Sequence, residues 1–159
     1  KTIRPAINLD FRVLGNWYDA TKAAELANSM IESGVDVILT IAGSGNQGTI
    51  AAAKEKGAYV LWFDSSGYQY APGTVVGSSE VRLEKAAYEK TKAAILGDLE
   101  YGNAEILGIK EGYIDFDFDH KDFTKHVPEH IQEEMKKVVA RMSSEEIDLE
   151  VPLEQISAE

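Results

Sequence analysis

The chain of 159 residues contains no cysteine, four prolines, and no apolar run that approaches 18 residues. Without cysteine there are no disulfide bonds and no thiol catalysis, and the redox compartment is left undetermined. The apolar runs are too short for a helix that crosses a membrane. No signal peptide or lipidation cysteine is visible and the chain starts abruptly at Lys1, so we expect a mature or trimmed chain.

Basic residues are also few: 16 Lys and Arg against 27 Asp and Glu give a net charge of −11. Binding to a phosphate backbone or to anionic lipid needs a basic face, so this balance argues against both functions. Residues 1–97 contain ten acids and ten bases, whereas residues 98–159 contain 17 acids and six bases. We therefore expect an α/β ligand-binding lobe over 1–127, followed by a C-terminal helix and acidic tail over 128–159.

Strand and helix patterns alternate along the chain, which predicts an α/β fold with a parallel sheet and helices on both faces. Asp19 is a predicted N-cap, and Gly34, Gly57 and Gly97 are predicted helix ends. We expect residues 143–159 to form a tail or an extended strand. The predicted strands cover 12–16, 35–42, 59–64, 74–78 and the regions near 104–110 and 113–118; the predicted helices cover 20–33, 47–56, 80–97 and 128 to about 142.

Ligands of such sheets bind outside the carboxyl ends of the strands, here 16–19, 42–46, 64–66 and 78–81. The Asp64 carboxylate suits sugar hydroxyls, with capping of the following loop as the alternative. The Trp17 ring could stack on a planar ligand or plug the end of the sheet, and the same holds more weakly for Tyr18. Trp62, inside a strand, is expected in the core.

Gly43, Gly45 and Gly48 match the spacing of a dinucleotide-binding turn, and Asp64 follows 21 residues after Gly43. The alternative is a tight strand-to-helix turn, in which the glycines serve the backbone alone. This unit is the second of its kind in the chain, and no second nucleotide-binding half accompanies it. We favour the tight turn and keep a nucleotide-cofactor enzyme as an alternative function.

Residues 115–120 alternate acids with aromatics, which predicts an edge strand with three carboxylates on one face. A metal site is disfavoured, because His120 and His126 stand where a calcium loop needs Gly and Glu. His126 and His130 are expected to be surface residues. No nucleophile and base pair stands out, so we expect no catalytic residue, no cofactor and no enzyme activity.

In this order the motifs resemble one family over nearly the whole chain, the basic membrane protein family of substrate-binding lipoproteins that serve nucleoside-type ABC importers. The resemblance begins with Gly15-Asn16-Trp17-Tyr18-Asp19, similar to the Gly-Ser-Trp-x-Asp of the family. It continues through 34–38, 42–48, 51–57, 63–65, 108–112, 127–128 and 151–152.

The resemblance implies one lobe, the second, of a two-lobed type I periplasmic binding protein. It implies a purine nucleoside or a related small polar ring compound as ligand, an ABC permease as partner, and a lipid-anchored location in the cell envelope. It assigns Asp64 as acceptor of the ribose hydroxyls, and Trp17 and the Ala42–Gly45 turn as lining of the crevice. The complete set of candidate site residues is Asn16, Trp17, Tyr18, Ala42, Gly43, Ser44, Gly45, Asp64 and Ser65.

Two positions depart from the family pattern, so the resemblance does not fix the ligand: a ligand-contacting Lys falls on Val81, and a Gly falls on Trp62. In two-lobed relatives the helix over 80–97 packs on the other lobe. Its apolar stripe would otherwise face water, and we expect a homodimer or a swap of that segment. A stand-alone interaction or regulatory domain is the remaining alternative.

Overall fold

The computed structural model describes residues 4–147, so the predicted acidic tail lies largely outside the described residues. Two single-turn 3₁₀ helices, Gly43–Gly45 and Tyr68–Tyr70, accompany the regular elements. The helices are α1 (Ala20–Glu32), α2 (Asn46–Lys56), α3 (Leu83–Leu96), α4 (Lys121–His126) and α5 (Glu129–Ser143), and the strands are β1 (Val37–Leu39), β2 (Tyr59–Trp62), β3 (Val75–Val81) and β4 (Ile114–Phe116). Among the described residues, no helix has the length and apolar character to cross a membrane.

The four strands form one sheet in the order β1-β2-β3-β4. Strands β1, β2 and β3 are parallel, and this confirms the predicted α/β alternation. Strand β4 pairs antiparallel with the end of β3, through Ser79 opposite Phe116. A parallel return needs a crossover packed on the sheet. Helix α3, which lies between these strands, buries no residue and is not such a crossover.

The predicted helix ends are confirmed. The Asp19 carboxylate accepts a 2.9 Å hydrogen bond from the backbone N–H of Lys22, which satisfies one of the free donors at the start of α1. Gly57 ends α2 at a φ of 75°, in the left-handed region that glycine adopts without a steric penalty. Gly97 ends α3 in the same way.

Helices α1 and α2 cover one face of β1 and β2. Ile38 of β1 packs with Ala27 of α1 and Ala52 of α2. A larger cluster is centred on Val60 of β2, which is fully buried, and extends to Phe123 of α4. Its other buried members are Ile50, Ala53, Ala58, Trp62, Tyr68, Ala71 and Val75.

On the other face of β1 and β2, apolar side chains reach solvent. Val37, Leu39 and Tyr59 are 41%, 58% and 45% exposed, and they alternate along the strands with the buried Ile38 and Val60. An apolar sheet face of this kind marks a surface that another body can cover.

Two predicted strands are wrong. Residues 12–16 form no strand and pair with none of the four strands; the chain that follows them is held instead by the Gly43–Gly45 turn, in which the Ser44 N–H donates to the Trp17 carbonyl. Arg12 instead forms a salt bridge with Asp10. The region 104–110 also lacks a strand, because its end closes into a turn in which the Glu111 carboxylate accepts the N–H of Gly108.

Helix α4 was not among the predicted elements. His120 caps its start, with Nδ1 accepting the N–H of Asp122, and Phe123 anchors it in the core. The helix that follows begins at Glu129, so Pro128 is its N-cap residue rather than its first residue.

Candidate functional site

Trp17 and the Gly43–Gly45 turn are in direct contact. The carbonyl oxygen of Trp17 accepts hydrogen bonds from the backbone N–H of Ser44 at 2.9 Å and from the Ser44 hydroxyl at 3.2 Å. The Trp17 side chain remains 66% exposed. The backbone of Trp17 is therefore held in place while its ring is open to solvent. This disagrees with the alternative that the ring plugs the end of the sheet.

Asn16 shapes the chain on the other side of Trp17. Its side-chain oxygen accepts the backbone N–H groups of Tyr18 at 3.0 Å and Asp19 at 2.8 Å. This side-chain turn is typical of Asn before a helix and leads directly into the Asp19 cap. The Tyr18 side chain is 76% exposed beside Trp17 in the sequence.

The three glycines of the motif lie so close to other parts of the protein that an added Cβ would collide with them. A Cβ at Gly43 would lie 2.6 Å from the Trp17 carbonyl oxygen, and one at Gly45 would lie 2.7 Å from Cδ2 of Leu14. A Cβ at Gly48 would lie 1.8 Å from the carbonyl oxygen of Ala20, where α1 crosses α2. Backbone contacts thus explain Gly43 and Gly48, and Gly45 lies against a side chain of the same protein, which supports the tight-turn interpretation of the motif over the dinucleotide one.

Asp64 follows β2 and is exposed at a φ of 85°. Its carbonyl oxygen accepts the N–H of Val81 at 3.1 Å, which fixes the backbone at the end of β3. Among the described residues its carboxylate makes no hydrogen bond, so it does not cap the loop that follows it. A non-glycine residue in the left-handed region costs free energy, and such strain concentrates at functional sites.

Ser65 is exposed, and its backbone carbonyl makes a hydrogen bond to β3. Its carbonyl oxygen accepts a 2.7 Å hydrogen bond from the hydroxyl of Ser78, a fully buried residue of β3. The Ser78 hydroxyl in turn accepts the N–H of Gly67. The buried Ser78 hydroxyl therefore joins the loop after Asp64 to β3.

The candidate residues gather at one edge of the sheet. The N–H of Thr40 donates to the Leu61 carbonyl, so the chain leaves β1 and β2 side by side before reaching Ala42 and Asp64. Trp62 lies opposite Ser78 on β3. The edge thus offers an exposed aromatic ring, a glycine turn and an exposed carboxylate.

A groove of about 500 Å³ adjoins this edge, and its residues were not among the candidates. Arg82 lies in it between Asp115 at 2.9 Å and Glu80 at 3.8 Å. The hydrogen bond that Arg82 donates to the Asp115 carboxylate raises the pKa of the Arg82 guanidinium above its ordinary value. The other lining residues are Phe116, Asp117, Phe118 and Asp119. The alternating acids were visible in the sequence, but their approach to β3 was not.

Helix α3 is held by polar contacts on one side and is open on the other. Lys85 Nζ donates to the carbonyl oxygen of Glu111 at 2.7 Å, and the Tyr113 hydroxyl donates to Glu89. The other side has a shallow apolar groove of about 520 Å³. It is lined by Ala87, Tyr88, Thr91, Lys92, Ile95 and Leu96.

Known proteins resemble this chain in sequence and in fold. A family model described as "ABC transporter substrate-binding protein PnrA-like" matches residues 1–154. Basic membrane protein A of Borreliella afzelii is 28% identical over 91% of this chain, which spans 43% of that relative.

Solved structures match the fold. A solute-binding protein of an ABC transporter system from Aeropyrum pernix superposes with a TM-score of 0.67 at 24% identity, over 87% of this chain and 46% of that one. A structure from Bacillus halodurans described as a transcriptional activator of the comK gene gives a TM-score of 0.72 at 21% identity, over 83% of this chain and 45% of that one. At these identities the likeness shows the fold alone, and the predicted single-lobe α/β architecture is confirmed.

Proposed function

The chain belongs to the Bmp family of PnrA-like ABC transporter substrate-binding proteins, and from this premise we propose that it binds a purine nucleoside, or a related small polar ring compound, at the carboxyl ends of β1 to β3. The role is binding rather than catalysis. The ligand's ring stacks on Trp17 and its hydroxyls donate to the Asp64 carboxylate. The exposed Trp17 ring, fixed by Ser44 at the same edge as Asp64, is the observation that carries the proposal.

The chemistry of the Trp17 ring and the Asp64 carboxylate fits such a ligand. Stacking on an aromatic ring contributes about 1 kcal/mol beyond the area that it buries. Hydrogen bonds to a charged group contribute about 1.5–3 kcal/mol each. Because association also costs the ligand its freedom of motion, we expect weak binding, with a Kd of about 1 mM, at a site that covers only one side of the ligand.

A one-sided site needs a second body to enclose the ligand. The chain spans 43% of Basic membrane protein A of Borreliella afzelii and 46% of the Aeropyrum pernix chain. We propose that the full binding unit has two lobes that close over the ligand, and that an ABC permease recognises the closed form. The proposed location is the outer side of the cell envelope, with a lipid anchor on the complete protein.

We further propose that two copies of the isolated chain associate through α3, or exchange that segment. The helix buries no residue and presents Tyr88, Ile95 and Leu96 at 67%, 80% and 63% exposure. It also lies in the half of the chain with no net charge, so repulsion between copies is weakest there.

Titration of the chain with inosine and guanosine, followed by NMR or calorimetry, tests the binding function. We expect saturable binding that Trp17→Leu and Asp64→Asn each weaken about tenfold. Tyr101→Leu removes another exposed aromatic ring, and Asp36→Asn another exposed carboxylate at the opposite end of β1, so both controls should bind as the parent does. Equal losses in the variants and their controls, or no binding at 10 mM (about ten times the expected Kd), would refute the proposal.

A further inference from the structure

Asn46 is a buried polar residue directly behind the glycine turn. It is the first residue of α2 and is 7% exposed. Its side-chain oxygen accepts the hydroxyl of Thr40 at 2.8 Å and the backbone N–H of Ala42 at 2.7 Å. Because the Ala42 N–H can only donate, it must face the oxygen of the Asn46 amide, and this fixes the orientation of the amide.

A short series of hydrogen bonds joins this buried amide to the backbone of Trp17, whose ring is exposed. Asn46 holds Ala42 through its N–H, and the Ala42 carbonyl oxygen accepts the N–H of Gly45 at 3.0 Å. Between these two residues, Ser44 donates to the carbonyl oxygen of Trp17 at 2.9 Å. The side chain of Asn46 thus holds the buried side of the turn that carries Ser44.

We propose that Asn46 is a positioning residue for ligand binding: it does not touch the ligand, but it holds the Ala42–Gly45 turn against Trp17. The inference rests on the proposed function for its ligand and on the hydrogen bonds alone for its mechanism. Trp17 is restrained from one side by Asn16, through Tyr18 and Asp19, and from the other by Ser44. Only the second restraint depends on Asn46.

Hydrogen-bond chemistry makes Asn46 separable from its neighbours. Ala at this position leaves the Ala42 N–H without an acceptor inside the protein and leaves the Thr40 hydroxyl only its longer contact with Thr49. Asp keeps an acceptor of the same shape, so Asn46→Asp should preserve the turn even where its buried charge lowers the overall stability. Thr49 supplies the matched control, because its hydroxyl lies 3.3 Å from that of Thr40 in the same buried group and does not contact Ala42.

The first measurement needs no ligand. Amide hydrogen exchange is followed by NMR in the full chain and in Asn46→Ala, Asn46→Asp and Thr49→Val. We expect Asn46→Ala to speed exchange at Ala42 and Ser44 about tenfold relative to the buried Val60, and Asn46→Asp to restore most of that protection. Acrylamide quenching of tryptophan fluorescence reports mainly on Trp17, because Trp17 is 66% exposed and Trp62 is 9% exposed. The quenching should change in Asn46→Ala and return towards that of the parent in Asn46→Asp.

The second measurement is the inosine titration of the same four proteins, beside their melting temperatures. Asn46→Ala should raise the Kd at least about threefold, while Thr49→Val lowers the melting temperature and leaves the Kd unchanged. Unchanged exchange at Ala42 in Asn46→Ala, or the same local change in Thr49→Val, would overturn the inference. If the parent chain does not bind inosine, the proposed function fails, and the exchange data still decide the role of Asn46.

Discussion

The backbone N–H of Ser44 donates a 2.9 Å hydrogen bond to the carbonyl oxygen of Trp17, two residues that are 27 positions apart in the chain. This contact joins the segment before α1 to the turn before α2. It turns Trp17 from an exposed aromatic residue into one with a fixed backbone and a free ring. Pre-organisation of this kind lowers the entropy that a ligand must remove on binding.

Gly43→Ala should break this contact. The added Cβ would lie 2.6 Å from the Trp17 carbonyl oxygen, and Gly43 has a φ of 56°. Gly57 is the matched control, because it has a φ of 75° and an added Cβ there would have no atom within 4 Å, so Gly57→Ala carries the backbone penalty alone. We expect Gly43→Ala to lose about 1–3 kcal/mol more in urea unfolding than Gly57→Ala. Equal losses would mean that Trp17 moves aside freely.

Gly48→Ala tests what the glycine motif does. A Cβ there would lie 1.8 Å from the Ala20 carbonyl oxygen, which is backbone and cannot rotate away, so α1 and α2 must separate. We expect a loss of about 3 kcal/mol or more in the free energy of unfolding, measured without any ligand. Gly108→Ala is the matched control, because Gly108 like Gly48 has no positive φ and an added Cβ there would lie 3.8 Å from the nearest atom beyond the adjacent residues, Oε2 of Glu111. A stable Gly48→Ala protein would contradict the packing explanation.

The sequence predicts the parts of the fold that local chemistry decides. Asp19 and Gly57 mark helix ends because a carboxylate satisfies free N–H groups and glycine accepts a positive φ, whatever the rest of the chain does. The placement of Gly43 and Asp64 at one edge also follows from strand order, since the ends of parallel neighbours meet. Trp17 reaches this edge through its contact with Ser44, because the strand predicted before it does not form.

The parts that sequence analysis missed depend on partners far along the chain. Residues 12–16 have the pattern of a strand, but they pair with no strand of the sheet, and the chain after them is placed by the contact between Trp17 and Ser44, 27 positions away. The six residues of α4 are too few for a periodic signal, and Phe123 is placed by the core rather than by its neighbours. Asn46 looked like an ordinary turn residue, because its acceptor role appears only when Thr40 and Ala42 are seen behind the turn.

Tyr68 should make the stability of the fold depend on alkaline pH. Burial raises the pKa of its phenol well above the ordinary value, with a further contribution from the charge of Asp117. Above about pH 10 the unfolded chain releases this proton while the folded chain keeps it, so the free energy of unfolding falls as pH rises, by at most about 1.4 kcal/mol per pH unit. Below that pH the contribution is complete.

Urea unfolding between pH 8 and 11 measures this effect as the difference between the parent and Tyr68→Phe. The variant loses the hydrogen bond to the Asp117 carbonyl at every pH, but its stability should fall less steeply above pH 10. Tyr70→Phe, a half-exposed position beside Trp62, should keep the slope of the parent. Parallel slopes in parent and Tyr68→Phe would refute the prediction.

Association through α3 should respond to one charge in its apolar groove. Ile95 is 80% exposed there, and Ile95→Lys places an ammonium group where a second copy would pack. We expect sedimentation equilibrium to show a dimer dissociation constant at least about tenfold higher. Glu84→Gln changes the net charge by the same amount on the same helix outside the groove and should leave the constant unaltered. A parent chain that stays monomeric at high concentration would contradict the association itself.

Asp64→Gly should separate stability from binding. Asp64 holds a φ of 85°, a conformation that costs a non-glycine residue about 1 kcal/mol or more, so glycine relieves strain and is expected to raise the free energy of unfolding. The same change removes the carboxylate that we assign to the ligand hydroxyls, so inosine binding should weaken about tenfold. Glu145 at a φ of 60° is the control: Glu145→Gly relieves the same kind of strain and loses a salt bridge to Lys110, yet should bind inosine as the parent does. If Asp64→Gly proved more stable and bound equally well, the strain at Asp64 would have no function in binding, and the carboxylate would have to be removed from the proposed site.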